Sequence, residues 1–234
     1  MTSRYAIYYV PSRDSALFRF GSSVLGYDCA SGRDVTLPIH SDLAALAPLD
    51  LAFEARKYGF HATLKAPFEL AAGQSEALLL QHAEKLFSGV APAWLGRMKV
   101  DELGDFLALR PKSASEAVTR LAGHCVAAFE PFRAPLSTAD RERRVKAHLT
   151  DRQITHLDRW GYPYVFEDFR FHMTLSDRLP DGQRKSALTA ITELYARLDE
   201  PVAIDAVSVV RQANKAARFV IIERFALAGR SETR

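Results

Sequence analysis

The sequence predicts a chain of mixed α and β structure built around a duplicated lobe, on three observations. The pentapeptide Phe60-His61-Ala62-Thr63-Leu64 returns as Phe171-His172-Met173-Thr174-Leu175. The same order of strand, helix and hairpin comes after each copy. The chain has 234 residues, 48% of them hydrophobic, enough for one bilobal domain or two small ones. His61 and His172 lie 111 residues apart, the length of a half-domain rather than of a solenoid repeat. A four-in-five match between two pentapeptides arises by chance about once in a chain of this size, so the weight falls on the elements downstream of each copy.

After the first copy come Pro67, a loop through Gly73, an apolar-periodic helix over 74–87 (Leu78, Leu79, His82, Leu86), and two strands at 98–103 and 106–110. The second copy is succeeded by Pro180 and Gly182, a helix over 184–198 (Leu188, Ile191, Leu194, Leu198), and strands at 202–211 and 218–227. Residues 5–10 alternate as a first strand ended by Pro11. A helix comes next over 15–25, then a turn over 29–34; 39–53 is helical or irregular. An amphipathic helix spans 116–129, with Val118, Leu121, Val126 and Phe129 as its core face. Pro131 and Pro135 punctuate a linker, Ser137 or Thr138 caps the next helix, and 149–160 forms another, ended by Gly161. The expected organisation is one domain over 1–234, with a first lobe at about 56–130, linker helices at 131–160 and a second lobe at 161–228.

Composition excludes several classes. Charged residues are 25% and the formal charge is +3, an ordinary globular balance that favours anionic ligands mildly and does not predict a polyanion surface. Cys29 and Cys125 are too few for a disulfide scaffold and read as buried, idle thiols. Arg4 leads into an alternating strand rather than a secretory leader, and no apolar run approaches about 20 residues. The expectation is a cytoplasmic monomer with no membrane contact.

The chemistry sits in the repeats. In a strand successive side chains face opposite ways, so His61 and Thr63 share one face while Phe60, Ala62 and Leu64 share the other. His172 and Thr174 are likewise opposed to Phe171, Met173 and Leu175. Regular alternation adds Lys65 to the first polar face and Arg170 to the second. Hydrolysis of a strained cyclic phosphodiester needs a base for water, an acid for the departing alkoxide on the other side of phosphorus, and hydroxyls or cations on the non-bridging oxygens. Two facing imidazoles, with ordinary pKa near 6.5, fill both proton roles. No metal or cofactor is required, and neither motif carries a second ligand at metal-binding spacing. The remaining candidates have blander readings. His40 is a surface histidine, His82 a structural one, and the helical neighbours His124 and Cys125 point apart, which argues against a nucleophilic pair. Arg13 stands at a strand end, as either a ligand contact or a solvated loop residue. Gly59 permits close approach of backbone or ligand. The basic run Arg141, Arg143, Arg144 and Lys146 reads as a solvated helix face, with an anion-attracting rim as the sharper alternative.

The two motifs resemble the paired His-x-Thr/Ser motifs of the two-histidine phosphoesterase superfamily, which includes the RNA ligase-like cyclic phosphodiesterases. Trp160-Gly161-Tyr162-Pro163-Tyr164 before Phe169-Arg170-Phe171-His172, with Tyr58-Gly59-Phe60-His61-Ala62-Thr63-Leu64-Lys65, is similar to a subfamily associated with phosphonate metabolism. The resemblance covers nearly the whole chain. It implies a bilobal α+β fold with pseudo-two-fold symmetry, each lobe a small antiparallel sheet flanked by helices and the cleft between them. It further implies metal-independent hydrolysis of a small cyclic phosphate, a ribosyl cyclic phosphate being the family's suggestion, with His61 and His172 as acid and base and Thr63 and Thr174 holding the phosphate. An RNA-end cyclic phosphodiesterase or ligase and a non-catalytic module for anionic sugar phosphates are the alternatives. RNA calls for a broad basic, aromatic-lined surface, and only the 141–146 run offers one.

Overall fold

The computed structural model of the protein describes residues 3–35, 51–145, 148–198 and 200–229. The expectations for His40, for most of 39–53 and for Lys146 fall outside them. The chain begins with strand β1 (Arg4–Tyr9), helix α1 (Ala16–Leu25) and the short pair β2 (Tyr27–Asp28) and β3 (Arg33–Asp34). The first motif leads into β4 (Ala62–Glu69), α2 (Glu76–Phe87), β5 (Ala93–Gly96), β6 (Met98–Leu103) and β7 (Phe106–Pro111). Three helices come next: α3 (Glu116–Ala128), α4 (Thr138–Val145) and α5 (Asp151–Trp160). The second motif holds β8 (Met173–Thr174), then α6 (Asp181–Ala196), β9 (Val202–Ile204), β10 (Ala206–Gln212) and β11 (Phe219–Ala226).

Local chemistry sets the helix starts. Ser15, Ser75 and Ser115 each accept a hydrogen bond from the backbone N–H three residues on, and Thr150 forms a reciprocal capping box with Gln153. On α3 the expected core face is buried: Val118, Leu121, Val126 and Phe129 all point inward. On α2 the buried stripe is Leu79, Ala83 and Phe87, whereas Leu78 is exposed. The predicted stripe is one position out there, because Phe87 rather than Leu86 anchors the last turn.

Two antiparallel sheets carry the motifs, a four-stranded one in the order β11-β10-β1-β4 and a three-stranded one in the order β6-β7-β8. Both halves of the chain do run strand, helix, hairpin. Yet the hairpin of each half pairs on the side of the other half's motif strand: β10 and β11 join β4 through β1, and β6 and β7 join β8. The pair β5-β9 crosses between the halves as well. Each sheet therefore mixes both halves, and one hydrophobic cluster runs from Ile7 and Leu64 through Leu109 and Met173 to Ile191 and Val209. The fold is α+β with small antiparallel sheets flanked by helices. Both cysteines are buried and unpaired, and burial pushes each thiol up to about 12. No helix among the described residues is long and apolar enough to cross a membrane.

Candidate active site

Both motifs show the expected alternation of burial, but β4 starts at Ala62 and β8 at Met173, so each histidine stands just ahead of its strand rather than within it. Phe60, Ala62 and Leu64 are buried with His61 and Thr63 partly exposed between them, and Phe171, Met173 and Leu175 are buried around partly exposed His172 and Thr174. Each imidazole is held the same way. His61 Nδ1 lies 2.8 Å from the Gly59 carbonyl and His172 Nδ1 lies 2.8 Å from the Arg170 carbonyl. A carbonyl only accepts, so Nδ1 carries the hydrogen in both rings and Nε2 is left to work. In the first motif, Thr63 Oγ1 donates to that Nε2 at 3.1 Å.

The polar motif residues come together crosswise. One cavity of about 710 Å³ is lined by His61, Tyr58 and Thr174, and another of about 400 Å³ by His172, Arg170, Tyr162 and Thr63. Phe106 and Arg178 line both, so the cavities adjoin as two parts of one groove, each holding the histidine of one motif and the threonine of the other. Burial lowers the His61 pKa to about 4, opposed by the Gly59 carbonyl and assisted by repulsion from His172. Burial also lowers His172, with the Arg170 carbonyl opposing and Arg110 adding to the fall. Both rings are neutral at pH 7 in the free protein.

Lys65 requires a correction. Tyr8 pairs with Thr63 and Ile7 with Lys65, so two residues of β4 stand against one step of β1. This irregularity turns Lys65 to the face opposite Thr63. There it is 3% exposed, donating to the Val126 carbonyl at 2.8 Å and pairing with Glu130 at 2.9 Å. It is a core cation and not a groove residue. Arg170 is exposed and lines the cavity with His172. Arg13 pairs with Asp28 at 3.1 Å as a solvated loop residue. The basic helix face is largely neutralised, Arg141 by Asp158 and Arg143 by Asp140. Arg144 lies over the Tyr162 ring at 5.6 Å. His82 packs against Phe129 and Phe132 as a structural histidine, and His124 and Cys125 point apart, one exposed and one buried.

Several groove features leave little trace in the sequence. Tyr8 stacks on His61 with centroids 3.8 Å apart. Asp177 accepts from the backbone N–H groups of Glu54 and Ala55 at 2.9 and 2.8 Å. It thereby caps the 3-10 turn Ala55–Tyr58 that leads into the first motif, tying the two motifs together. Gly59, at φ 72, occupies the left-handed region, and a Cβ there would meet Cys29 Cβ at 2.5 Å. The close approach is thus by Cys29, and it fixes the carbonyl that holds His61. Arg178, which pairs with Asp105 at 3.2 Å, stands where the cavities meet. Its only sequence signal is its place four residues after Thr174. Among the described residues no cluster of three or more His, Cys, Asp or Glu is placed to hold a metal ion.

Comparison with known proteins places the chain. It is 38% identical over 98% of its length to a protein named ribose 1,5-bisphosphate phosphokinase PhnN from Janthinobacterium sp. (strain Marseille), covering 52% of that protein. It is 35% identical over 99% of its length to a protein of the same name from Laribacter hongkongensis (strain HLHK9), covering 54%. The chain thus spans about half the length of the curated relatives it matches. Among solved structures, E. coli LigT complexed with 3′-AMP overlays 97% of this chain and 99% of its own at 13% identity, with a TM-score of 0.46. Residues 63–220, from the first motif threonine to β11, match the family described as protein of unknown function DUF1045, and the chain belongs to that family.

Proposed function

We propose that the protein is a metal-independent cyclic phosphodiesterase acting on a small cyclic phosphate by two-histidine acid–base catalysis. The observation that carries this reading is the shared groove, where His61 and Thr174 line one cavity and His172 and Thr63 line the next, with both imidazoles anchored through Nδ1. One neutral Nε2 takes a proton from water as its oxygen bonds to phosphorus. The P–O bond to the sugar breaks, and the departing alkoxide takes the proton of the other, protonated imidazole, leaving a phosphate monoester and a free hydroxyl. Thr63 and Thr174 donate to the non-bridging oxygens, and Arg178 and Arg170 add positive charge. Entry of a phosphate anion raises the depressed imidazole pKa values, so the substrate itself recruits the acid form.

A small substrate is favoured over RNA because Arg141 and Arg143, the basic run outside the groove, are already paired with carboxylates. The relatives' name supports a ribose phosphate as the sugar. Their named kinase activity has no counterpart in this chain's motifs, since none of its 12 glycines is followed by lysine, as a P-loop demands. Phosphorus NMR of the protein with EDTA against a panel of ribosyl and nucleoside cyclic phosphates tests the proposal. Conversion of a cyclic ester to a monoester is expected. Tight binding without turnover would convert the reading to a binding module, and activity abolished by EDTA and restored by a divalent ion would overturn the mechanism.

A further inference from the structure

The register of the second sheet carries a site beyond the acid–base pair. Ala108 pairs with Thr174 and with Asp101, and Lys99 pairs with Arg110. By strand alternation Thr174, Ala108, Arg110, Lys99 and Asp101 all stand on one face of β8, β7 and β6, and His172, two residues before Thr174, stands there too. On that face the groove runs into a further cavity of about 330 Å³, lined by Lys99, Asp101, Arg110, Lys112 and Arg170 together with Ser115. Phe169 and Arg170 wall both this cavity and the one that holds His172.

Four cations thus face one carboxylate. Asp101 is shared between Lys99 at 3.0 Å and Arg110 at 2.9 Å, while Lys112 and Arg170 have no side-chain partner among the described residues. Ser115 caps the N-terminus of the thirteen-residue α3, so its positive dipole end adjoins the same space. The first-turn Glu116 is turned to Arg120. On the equivalent face of the other sheet the positions beside Thr63 are filled by buried side chains, and Arg4 further along β1 is bonded to Gln212. There Thr63 pairs with Tyr8 and Tyr8 with Ser208, and Tyr8 and Ser208 are buried, with Phe18, Tyr27 and Phe219 packed around Tyr8.

We propose that this cavity is a second anion subsite, so that the substrate is a cyclic phosphodiester bearing a second, terminal phosphate on its sugar. This rests on the cyclic phosphodiesterase reading for the reaction but not for the subsite itself. Lys99 lies two strand spacings from the motif strand, about 10 Å, a span that one pentose bridges between two phosphates. The shared Phe169–Arg170 wall sets the direction: the terminal phosphate lies on the His172 side. A single small molecule is favoured over a polymer because the cavity, bounded on one side by the start of α3, has room for one phosphate and its nearest sugar atoms.

Calorimetry with adenosine 3′-monophosphate and adenosine 3′,5′-bisphosphate tests the subsite without requiring turnover. The bisphosphate should bind about tenfold tighter or more, the worth of one charge-assisted contact. That ratio should fall toward one in Lys99→Ala/Lys112→Ala and persist in Lys99→Arg/Lys112→Arg. Both lysines are exposed, so the variants keep the fold. A ratio near one in the wild type, or an unchanged ratio in the alanine variant, overturns the subsite. An oligoribonucleotide 3′-phosphate that binds tenfold tighter still than the bisphosphate overturns it in favour of a polymer. Hydrolysis is read separately: a protein that shows the binding ratios but leaves 2′,3′-cyclic esters intact keeps the subsite and loses the hydrolase.

Discussion

At the scale of single residues, the two imidazoles are held alike but sit in different surroundings. His61 is stacked under Tyr8 and lowered to about 4, whereas His172 feels Arg110. An unfolded histidine titrates near 6.5, so between that value and 4 the unfolded chain binds more protons than the folded one. Stability should therefore fall as pH drops through this window, by about 3 kcal/mol from His61. Urea unfolding across the window should show that slope in the wild type and a flatter one in His61→Gln; equal slopes would contradict the buried neutral assignment. The motif residues are legible because a five-residue alternation of buried and polar positions needs nothing from the rest of the chain. Lys65 was misplaced because a bulge opposite Ile7, invisible in sequence, reverses the alternation just after Thr63.

Among elements, the segment entering the first motif holds the site in place. Gly59→Ala combines a left-handed backbone with a collision against Cys29, and should cost about 1 to 3 kcal/mol while displacing the carbonyl that orients His61. Its loss of activity should exceed its loss of folded protein, measured by kcat against the urea midpoint. Behind β4, Glu130 serves both Lys65 and Arg133, with Arg133 Nη2 at 2.6 Å. Glu130→Ala strands the buried Lys65 charge and should cost about 3 to 5 kcal/mol. Lys65→Met leaves Glu130 paired with Arg133, and should cost less and spare kcat. A hundredfold loss of kcat in Lys65→Met would restore Lys65 to the groove. Helices were legible wherever a Ser or Thr cap preceded an apolar stripe, as at Ser115 and Thr150. The Asp177 cap was not, since its partners Glu54 and Ala55 lie more than 120 residues away in sequence.

For the whole molecule, the duplication is exchanged between sheets: β4 is completed by the second hairpin and β8 by the first. The order of elements was readable because each half repeats it locally. Which hairpin pairs with which strand was not, because both hairpins have similar composition and long-range pairing leaves no local mark. Because every sheet that holds a motif draws on both halves, fragments divided in the loop before α4 should each fail to unfold cooperatively when expressed alone, as followed by circular dichroism. A cooperatively folded fragment would contradict the exchange. The same arrangement makes the groove a property of the assembled chain, with His61 and His172 brought together by different sheets.

Whether these two imidazoles act as one acid–base pair is tested most directly by the pH–rate profile of cyclic ester hydrolysis in the wild type, His61→Ala and His172→Ala. The wild type should give a bell whose limbs belong to the coupled pair. Each single variant should lose one limb and about 10² to 10⁴ in rate, and the double variant should lose less than the product of the two. A wild-type rate without two limbs, or either variant with its rate and both limbs intact, would contradict the pairing.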